Sequence, residues 1–197
     1  MKYLSLLFSL CILSSFNIYA QHQNHTSEYA GQEHREIKSL SEEDITQLKA
    51  GKGWGLAKAA ELNGVPGPSH ILEMASEIDL SDTQYEQIQS IFDEMQQQAI
   101  SLGEKFISKE KELNSAFKEG EINPERLREL TSEIGLIRGE LTFTHLQAHL
   151  KSAEVLSDEQ IKMYNTLRGY DLTSDPCSEV PEGHDPEMWK QHNNCSR

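Results

Sequence analysis

The sequence has few cysteines, few aromatic residues, few basic residues and no apolar run long enough to cross a bilayer. Three cysteines in 197 residues exclude a disulfide-rich scaffold, and 18 Lys and Arg against 32 Asp and Glu give a formal net charge of −14. Such an acidic chain repels nucleic acid and anionic lipid. The longest apolar run is about half of the ~20 residues that a membrane-spanning helix needs. We therefore expect no nucleic-acid partner and, beyond the first twenty residues, no membrane-spanning helix.

The first twenty residues are typical of a secretory signal peptide. Lys2 precedes the apolar run Leu4–Leu13, small and polar residues follow, and Ala20 stands before Gln21. We expect residues 1–20 to be cleaved and the mature chain to be periplasmic. An uncleaved or lipidated anchor is the alternative.

The carboxyl-terminal residues 171–197 are predicted to be a tail closed by one disulfide. Cys11 leaves with the leader, so Cys177 and Cys195 remain as an even pair in an oxidising compartment. A thiolate metal site is the alternative for this pair. Asp185-Pro186 is interpreted as a turn signal, and Trp189 as an anchor of the tail on the body of the protein.

The segment 21–68 is polar and contains signals for short helices. Residues 21–40 are interpreted as a mobile lead segment. Ser41 can cap a short helix that ends before Gly51, and a second short helix is predicted over residues 56–62. Prolines at residues 66 and 68 then break the chain.

Residues 69–170 carry apolar residues at helical spacing. A first helix is predicted from Ser69 to Asp79 and a last one from Asp158 to Arg168. Between them, steps of three and four predict two long helices, from Asp82 to Glu119 and from Pro124 to about residue 156. The apolar positions are Ile88, Ile91, Phe92, Met95, Ala99, Leu102, Phe106, Leu113 and Phe117 in the first, and Leu127, Leu130, Ile134, Ile137, Leu141 and Ala148 in the second.

The loop between the long helices determines how they pack. Gly120 ends the first, Asn123 can cap the second, and Pro124 suits its first turn. A loop this short makes the two helices antiparallel. The predicted fold is all-α: a long antiparallel helical hairpin with flanking short helices, a four-helix hooked hairpin. A lone hairpin buries only one stripe of each helix, so we also expect a homodimer.

Two matching segments open helices on either side of the hairpin: Leu80-Ser81-Asp82-Thr83-Gln84 and Leu156-Ser157-Asp158-Glu159-Gln160. In each, the serine stands at the N-cap and the glutamine at N3, which is the pattern of a reciprocal capping box. The preceding leucine can staple onto the first turn. One such box indicates only that a helix starts, whereas a pair that brackets a hairpin is more specific.

The paired motif resembles the LTxxQ-motif family of periplasmic proteins, which includes the Spy and CpxP chaperone-like proteins and the CnrX and ZraP metal-responsive proteins. Serine replaces the family's usual threonine in both motifs of this chain, a conservative change for a cap. The resemblance covers about residues 69–170. It implies a bent helical hairpin, usually dimeric, that either binds unfolded clients or binds and senses metal ions.

A histidine pair on the second long helix is a candidate metal site. His145 and His149 are four residues apart, so both imidazoles lie on one side of the helix. Leu146 stands where a zinc protease needs glutamate, so a metalloprotease is excluded. Antiparallel pairing brings His70 to about the same height, with Glu73 one turn from His70.

Ligands of this kind suit Zn²⁺, Ni²⁺, Co²⁺ or Cu²⁺. Whether Met74 or Glu94 adds a ligand stays open, and the family's amino-terminal histidine pair has no counterpart here unless His22 and His25 serve. The alternative is that the four candidates are ordinary structural or surface residues.

Three hypotheses for function follow. The first is a metal-binding or metal-sensing stress-response protein that contacts an envelope signalling partner. The second is a Spy-like chaperone for unfolded clients, although the strong acidity of this chain counts against it. The third is a structural envelope protein. No catalytic constellation is visible.

Overall fold

A computed structural model describes residues 26–170, 177, 180, 183–193 and 195. The predicted leader and the histidines at positions 22 and 25 lie outside these residues. The chain divides into two units, Met1–Glu33 and His34–Arg197. In the first unit, the described residues form turns, and the backbone N–H of Gly31 donates to the Glu33 carboxylate. A single 3-10 turn spans Gln32–His34.

The described part of the second unit is all-helical and contains no strand, which confirms the predicted fold class. Its helices are α1 (Glu42–Lys49), α2 (Lys58–Glu61), α3 (Pro68–Glu73), α4 (Asp82–Glu119), α5 (Pro124–Val155), α6 (Asp158–Leu167) and α7 (Pro186–His192).

The helices α4 and α5 pack along their length as the predicted hairpin. Gly120 adopts a left-handed conformation (φ 72°) that ends α4, and the N–H of Glu121 donates back to the carbonyl of Ala116 (3.0 Å). The Asn123 side chain accepts from the N–H of Arg126 (2.8 Å) and so caps α5. Local sequence signals on both sides of the loop therefore produce the reversal.

The amino-terminal segment, defined here as residues 34–66, packs across α4 and α5. Its residues Ile37, Leu40 and Leu48 share a buried cluster with Ala99 and Phe106 of α4 and Leu141 of α5. A Cβ atom at Gly103 of α4 would clash with the carbonyl of Leu48, so the two backbones are in direct contact. One side of the hairpin is therefore covered by its own chain.

A second buried cluster closes the open end of the hairpin. Ile71 of α3 and Ile78 pack with Ile88 of α4, Leu156, and Tyr164 of α6. The flanking helices α3 and α6 thus cover this end of the hairpin, as the sequence predicted.

Three local predictions were wrong. Residues 36–40 are not a mobile lead, because Ile37 and Leu40 are buried and the N–H of Lys38 donates to Asn114 Oδ1 (3.3 Å). The helix α3 ends at Glu73, before a series of turns in which Asp79 adopts φ 50°. Asp185-Pro186 opens the unpredicted α7 rather than a turn.

No helix in the described part of the chain is both long enough and apolar enough to cross a bilayer.

Candidate functional site

The two motif glutamines contact each other at the open end of the hairpin. Both serines form the predicted capping boxes. Beyond that, Gln84 Nε2 donates to Gln160 Oε1 (2.8 Å), and Gln160 Nε2 donates to Gln84 Oε1 (3.1 Å). Gln84 Nε2 also reaches the carbonyl of Val155 (2.9 Å). The repeated motif therefore fastens the starts of α4 and α6 to each other and to the end of α5, which is a structural role.

The inner face of α5, which faces α4 and the amino-terminal segment, is polar near its carboxyl end. Thr144, His145, His149 and Ser152 are all buried there. The Nδ1 atom of His149 donates to the carbonyl of Val65 (2.8 Å). Because a carbonyl only accepts, Nδ1 of His149 carries a proton and is the donor in this bond.

The imidazole of His149 also lies directly against Gly67. A Cβ atom at Gly67 would stand 2.6 Å from both Cε1 and Nε2 of this ring. Only glycine leaves enough room here for the imidazole, so His149 and the chain before α3 fit each other closely.

His145 is buried without a hydrogen bond to its Nε2 atom from any residue that the structure describes. Burial lowers the pKa of His145 below its usual value, and the nearby His149 lowers it further. Since desolvation penalises the charged imidazolium, His145 is neutral at neutral pH.

Glu61 at the end of α2 is the centre of a polar network. Its carboxylate accepts from the hydroxyls of Tyr164 (2.9 Å) and Tyr170 (3.1 Å) and from Nε of Arg168 (3.1 Å). Burial, followed by the charge of Glu61, raises the pKa of Tyr164. Glu61 Oε2 also lies 3.9 Å from Nδ1 of His149. The network ties the amino-terminal segment to α6.

The predicted metal ligands form two separate pairs. His70 Nδ1 contacts Glu73 Oε2 (2.9 Å) on the surface of α3, while the two histidines of α5 lie side by side in the interior. Across the described residues, no three His, Cys, Asp or Glu side chains are placed to hold a metal ion. Structural zinc sites use four protein ligands and catalytic ones three. The four-ligand set of His70, Glu73, His145 and His149 is therefore not assembled.

In each pair, at least one side chain is already hydrogen-bonded. His149 is held by Val65, and His70 by Glu73. Of the two further candidates, Glu94 is paired with Lys151 (3.0 Å) and Met74 packs against the second buried cluster. Metal binding stays a prediction.

The outer face of α5, opposite the inner face, is apolar and exposed. Leu136, Phe143 and Leu150 follow one another at intervals of seven residues and are 68%, 57% and 60% exposed. Gly139 and Leu146 fall between them, which completes a pattern of alternating three- and four-residue steps. A shallow depression lies between α4 and α5, lined by Ile91, Glu94, Met95, Gln98, Thr144, Gln147, Ala148 and Lys151.

The predicted site thus omitted two groups of residues. The outer face is visible in the sequence as a second apolar period on α5, which the prediction from the stripe through Leu141 does not include. Glu61 had no sequence signal, because its partners lie more than 100 positions away.

The predicted disulfide is present in the tail. The sulfur atoms of Cys177 and Cys195 are bonded and their Cα atoms are 5.3 Å apart. Within the tail, the ring of Trp189 packs edge-on against His184, with ring centroids 4.9 Å apart.

Comparison with known proteins gives one match. Residues 67–168 match the family described as "LTXXQ motif family protein". No curated protein and no solved structure matches the chain. The matched residues run from Gly67, which contacts His149, to Arg168, which is bound to Glu61, so the whole amino-terminal segment (residues 34–66) lies outside the match.

Proposed function

The chain belongs to the LTXXQ motif family, and we propose that it binds segments of other proteins along the outer face of α5, in the manner of a periplasmic chaperone or adaptor. The family includes periplasmic Spy and CpxP proteins and metal sensors, and is known for non-enzymatic proteins. Membership alone does not choose between these activities, so the choice depends on the geometry of this chain.

One observation carries the proposal. Between residues 143 and 152, α5 buries polar side chains and exposes apolar ones. Its inner face holds His145, His149 and Ser152, while Phe143 and Leu150 on the outer face are more than half exposed. Single exposed apolar residues are ordinary, but an aligned row of them is typical of an interaction surface.

The location of the proposed binding surface follows from which side of the hairpin the chain itself already covers. The amino-terminal segment buries Ile37, Leu40 and Leu48 against α4 and α5. A partner therefore has no access to that side unless the segment detaches. The outer face needs no such rearrangement, and it extends over about 21 Å between Leu136 and Leu150 at 1.5 Å per residue.

The experiment is suppression of client aggregation. A reduced or chemically denatured client is diluted into buffer that contains the full mature chain, and light scattering is followed. We expect the wild-type chain to suppress scattering. The triple variant Leu136→Gln, Phe143→Gln, Leu150→Gln should lose most of this effect while keeping its helical circular dichroism, since these side chains are exposed.

The matched control is Phe117→Gln. Phe117 is 57% exposed but lies near the end of α4, away from the outer face of α5. Suppression that survives in the triple variant, or that is lost equally in the control, would place the binding surface elsewhere. No suppression by the wild-type chain at a several-fold excess would reject the proposal.

Metal binding by His145 and His149 is the second candidate. Its support is the buried Nε2 of His145, which has no hydrogen bond within the described chain, next to the imidazole of His149. The described residues supply only these two ligands. The remaining ligands would come from solvent or a partner.

Calorimetric titration with Zn²⁺, Ni²⁺ and Cu²⁺ tests this candidate. Binding to the wild-type chain should disappear in His145→Gln with His149→Gln, and should persist in His184→Gln with His192→Gln, which changes two exposed tail histidines. Identical titration curves for the wild-type chain and the first variant would reject it.

A further inference from the structure

We infer that the outer face of α5 accepts a basic amphipathic helix of a partner protein. This inference rests on the proposed function and names the class of partner. It has three sources in the structure: the spacing of the exposed apolar residues, the open glycines among them, and the carboxylates along one flank.

The spacing favours a helical partner. Ser132, Leu136, Gly139, Phe143, Leu146, Leu150 and Ala153 follow one another in alternating steps of four and three. This is the average period of 3.5 residues at which the side chains of two helices interdigitate over several turns. An extended segment repeats its side chains every two residues, so it would match this row only locally.

The two exposed glycines allow a close approach. A Cβ atom added at Gly135 or Gly139 would meet nothing within 4 Å. The surface is therefore flat between Leu136 and Phe143, where a partner backbone can come near to α5. A second helix can use this space to bury both flanking apolar side chains at once.

The charge on one flank selects a basic partner. Glu140, Gln147 and Glu154 repeat at intervals of seven residues beside the apolar row. Glu140 and Glu154 are exposed and form no ion pair with any residue that the structure describes. Gln147, which stands between them in the same register, lines the depression between α4 and α5. Lys or Arg at the matching positions of a partner helix would pair with both carboxylates and could extend a side chain towards the depression.

A second copy of the chain fits this charge pattern less well. In an antiparallel pair of identical helices, the flank of Glu140 and Glu154 meets the same flank of the other copy, and like charges oppose each other. In a parallel pair it meets the opposite flank, where Gly135, Thr142 and the buried His149 face Glu140, Gln147 and Glu154, and none of the three is an exposed basic residue. Neither arrangement neutralises the free carboxylates.

The test uses three labelled peptides of about three heptads and the full mature chain. The first carries Leu at the a and d positions with Lys on the flanks, and the second replaces the flanking Lys by Glu. The third scrambles the first so that its apolar residues share no face. Binding is measured by fluorescence anisotropy at low and high salt.

We expect the Lys peptide to bind about tenfold more tightly than the Glu peptide at low salt, and the difference to shrink as salt rises. The variant Glu140→Lys with Glu154→Lys should reverse the preference. The control Glu104→Lys with Glu119→Lys changes net charge equally on α4 and should leave the preference intact.

Other outcomes overturn the inference in distinct ways. Equal binding of the Lys and Glu peptides, abolished in both cases by the triple glutamine variant, would refute the charge preference and leave the proposed function standing. Scrambled-peptide binding as tight as that of the Lys peptide would refute the helical partner. A wild-type dimer that dissociates on Phe143→Gln would identify the occupant as a second copy. Failure of all three peptides would overturn the inference, while the aggregation assay judges the proposed function separately.

Discussion

The two faces of α5 differ in a way that composition does not anticipate. The inner face buries Leu130 and Leu141 as far as the middle of α5 and then turns polar, with His145 and Ser152 enclosed near the carboxyl end. The outer face stays apolar over the same residues and faces solvent. Burying polar groups without hydrogen bonds and exposing apolar groups both cost free energy.

The difference indicates that the two faces serve different purposes. The inner face helps to hold the fold together, because His149 bonds to Val65 of the amino-terminal segment. Beside it, Glu61 of the same segment accepts a hydrogen bond from Tyr164 of α6. Nothing within the described fold requires Phe143 or Leu150 to be apolar. The proposed partner on the outer face would account for this arrangement, and the following predictions test the contrast between the two faces.

The largest contrast is expected between matched leucines. Leu141→Ala removes a side chain that is 2% exposed and should lower the free energy of unfolding by about 2–5 kcal/mol. Leu136→Ala on the outer face should change it by less than about 0.5 kcal/mol. Urea denaturation of the isolated protein measures both. Equal losses would mean that the outer face is buried in solution.

The glycines of the two long helices should respond with opposite signs. Gly103→Ala puts a Cβ atom into the backbone of Leu48 and should destabilise the fold by about 1–3 kcal/mol. Gly139→Ala meets open space and should stabilise α5 by about 0.5–1 kcal/mol through helix propensity. Thermal and urea unfolding test the pair. A stable Gly103→Ala protein would contradict the tight contact of the amino-terminal segment.

Removing the charge of Glu61 should have a smaller effect. Glu61→Gln keeps the shape of the side chain but weakens its bonds to Tyr164 and Arg168, and we expect a loss of about 1–2 kcal/mol. The control Glu73→Gln affects only a surface pair and should cost less than about 0.5 kcal/mol. Equal losses of unfolding free energy for the two variants in denaturant titrations would mean that the network around Glu61 stabilises the fold no more than a surface pair does.

The smallest predicted effect is a dependence on pH. Because the pKa of His145 is lowered in the folded state, the unfolded chain takes up its proton first as pH falls through about 6.5. Stability should therefore be unaffected above that range and fall below it, by at most about 1.4 kcal/mol per pH unit. Urea titrations at several pH values should show a shallower fall for His145→Gln. An identical pH profile would mean that His145 is solvated.

The hairpin and its ends were predictable from local signals. Gly120 and Asn123-Pro124 act within one helical turn, and each Leu-Ser-x-x-Gln motif closes its capping box over three residues. Such interactions join neighbours in the chain, so their residue types and spacing are sufficient. The contact between Gln84 and Gln160 was not predictable from either motif alone.

The candidate site was predicted less well, because its contacts join distant parts of the chain. The spacing of His145 and His149 predicted that they lie side by side, but it did not show that Val65 and Gly67 contact His149. The burial of Ile37 was likewise not visible in a segment that reads as polar. Asp185 caps α7, although the pair Asp185-Pro186 is equally typical of a turn.

The sequence by itself determined the helical content, the turn at Gly120 and the two apolar periods of α5, since these depend on interactions within a few residues. Only the tertiary structure decided which of those periods is buried. The amino-terminal segment covers the side on which α4 and α5 carry Phe106 and Leu141, and α5 can turn only one face towards it. The other apolar face is left to solvent, because a helix with two apolar stripes has to expose one unless a further partner covers it.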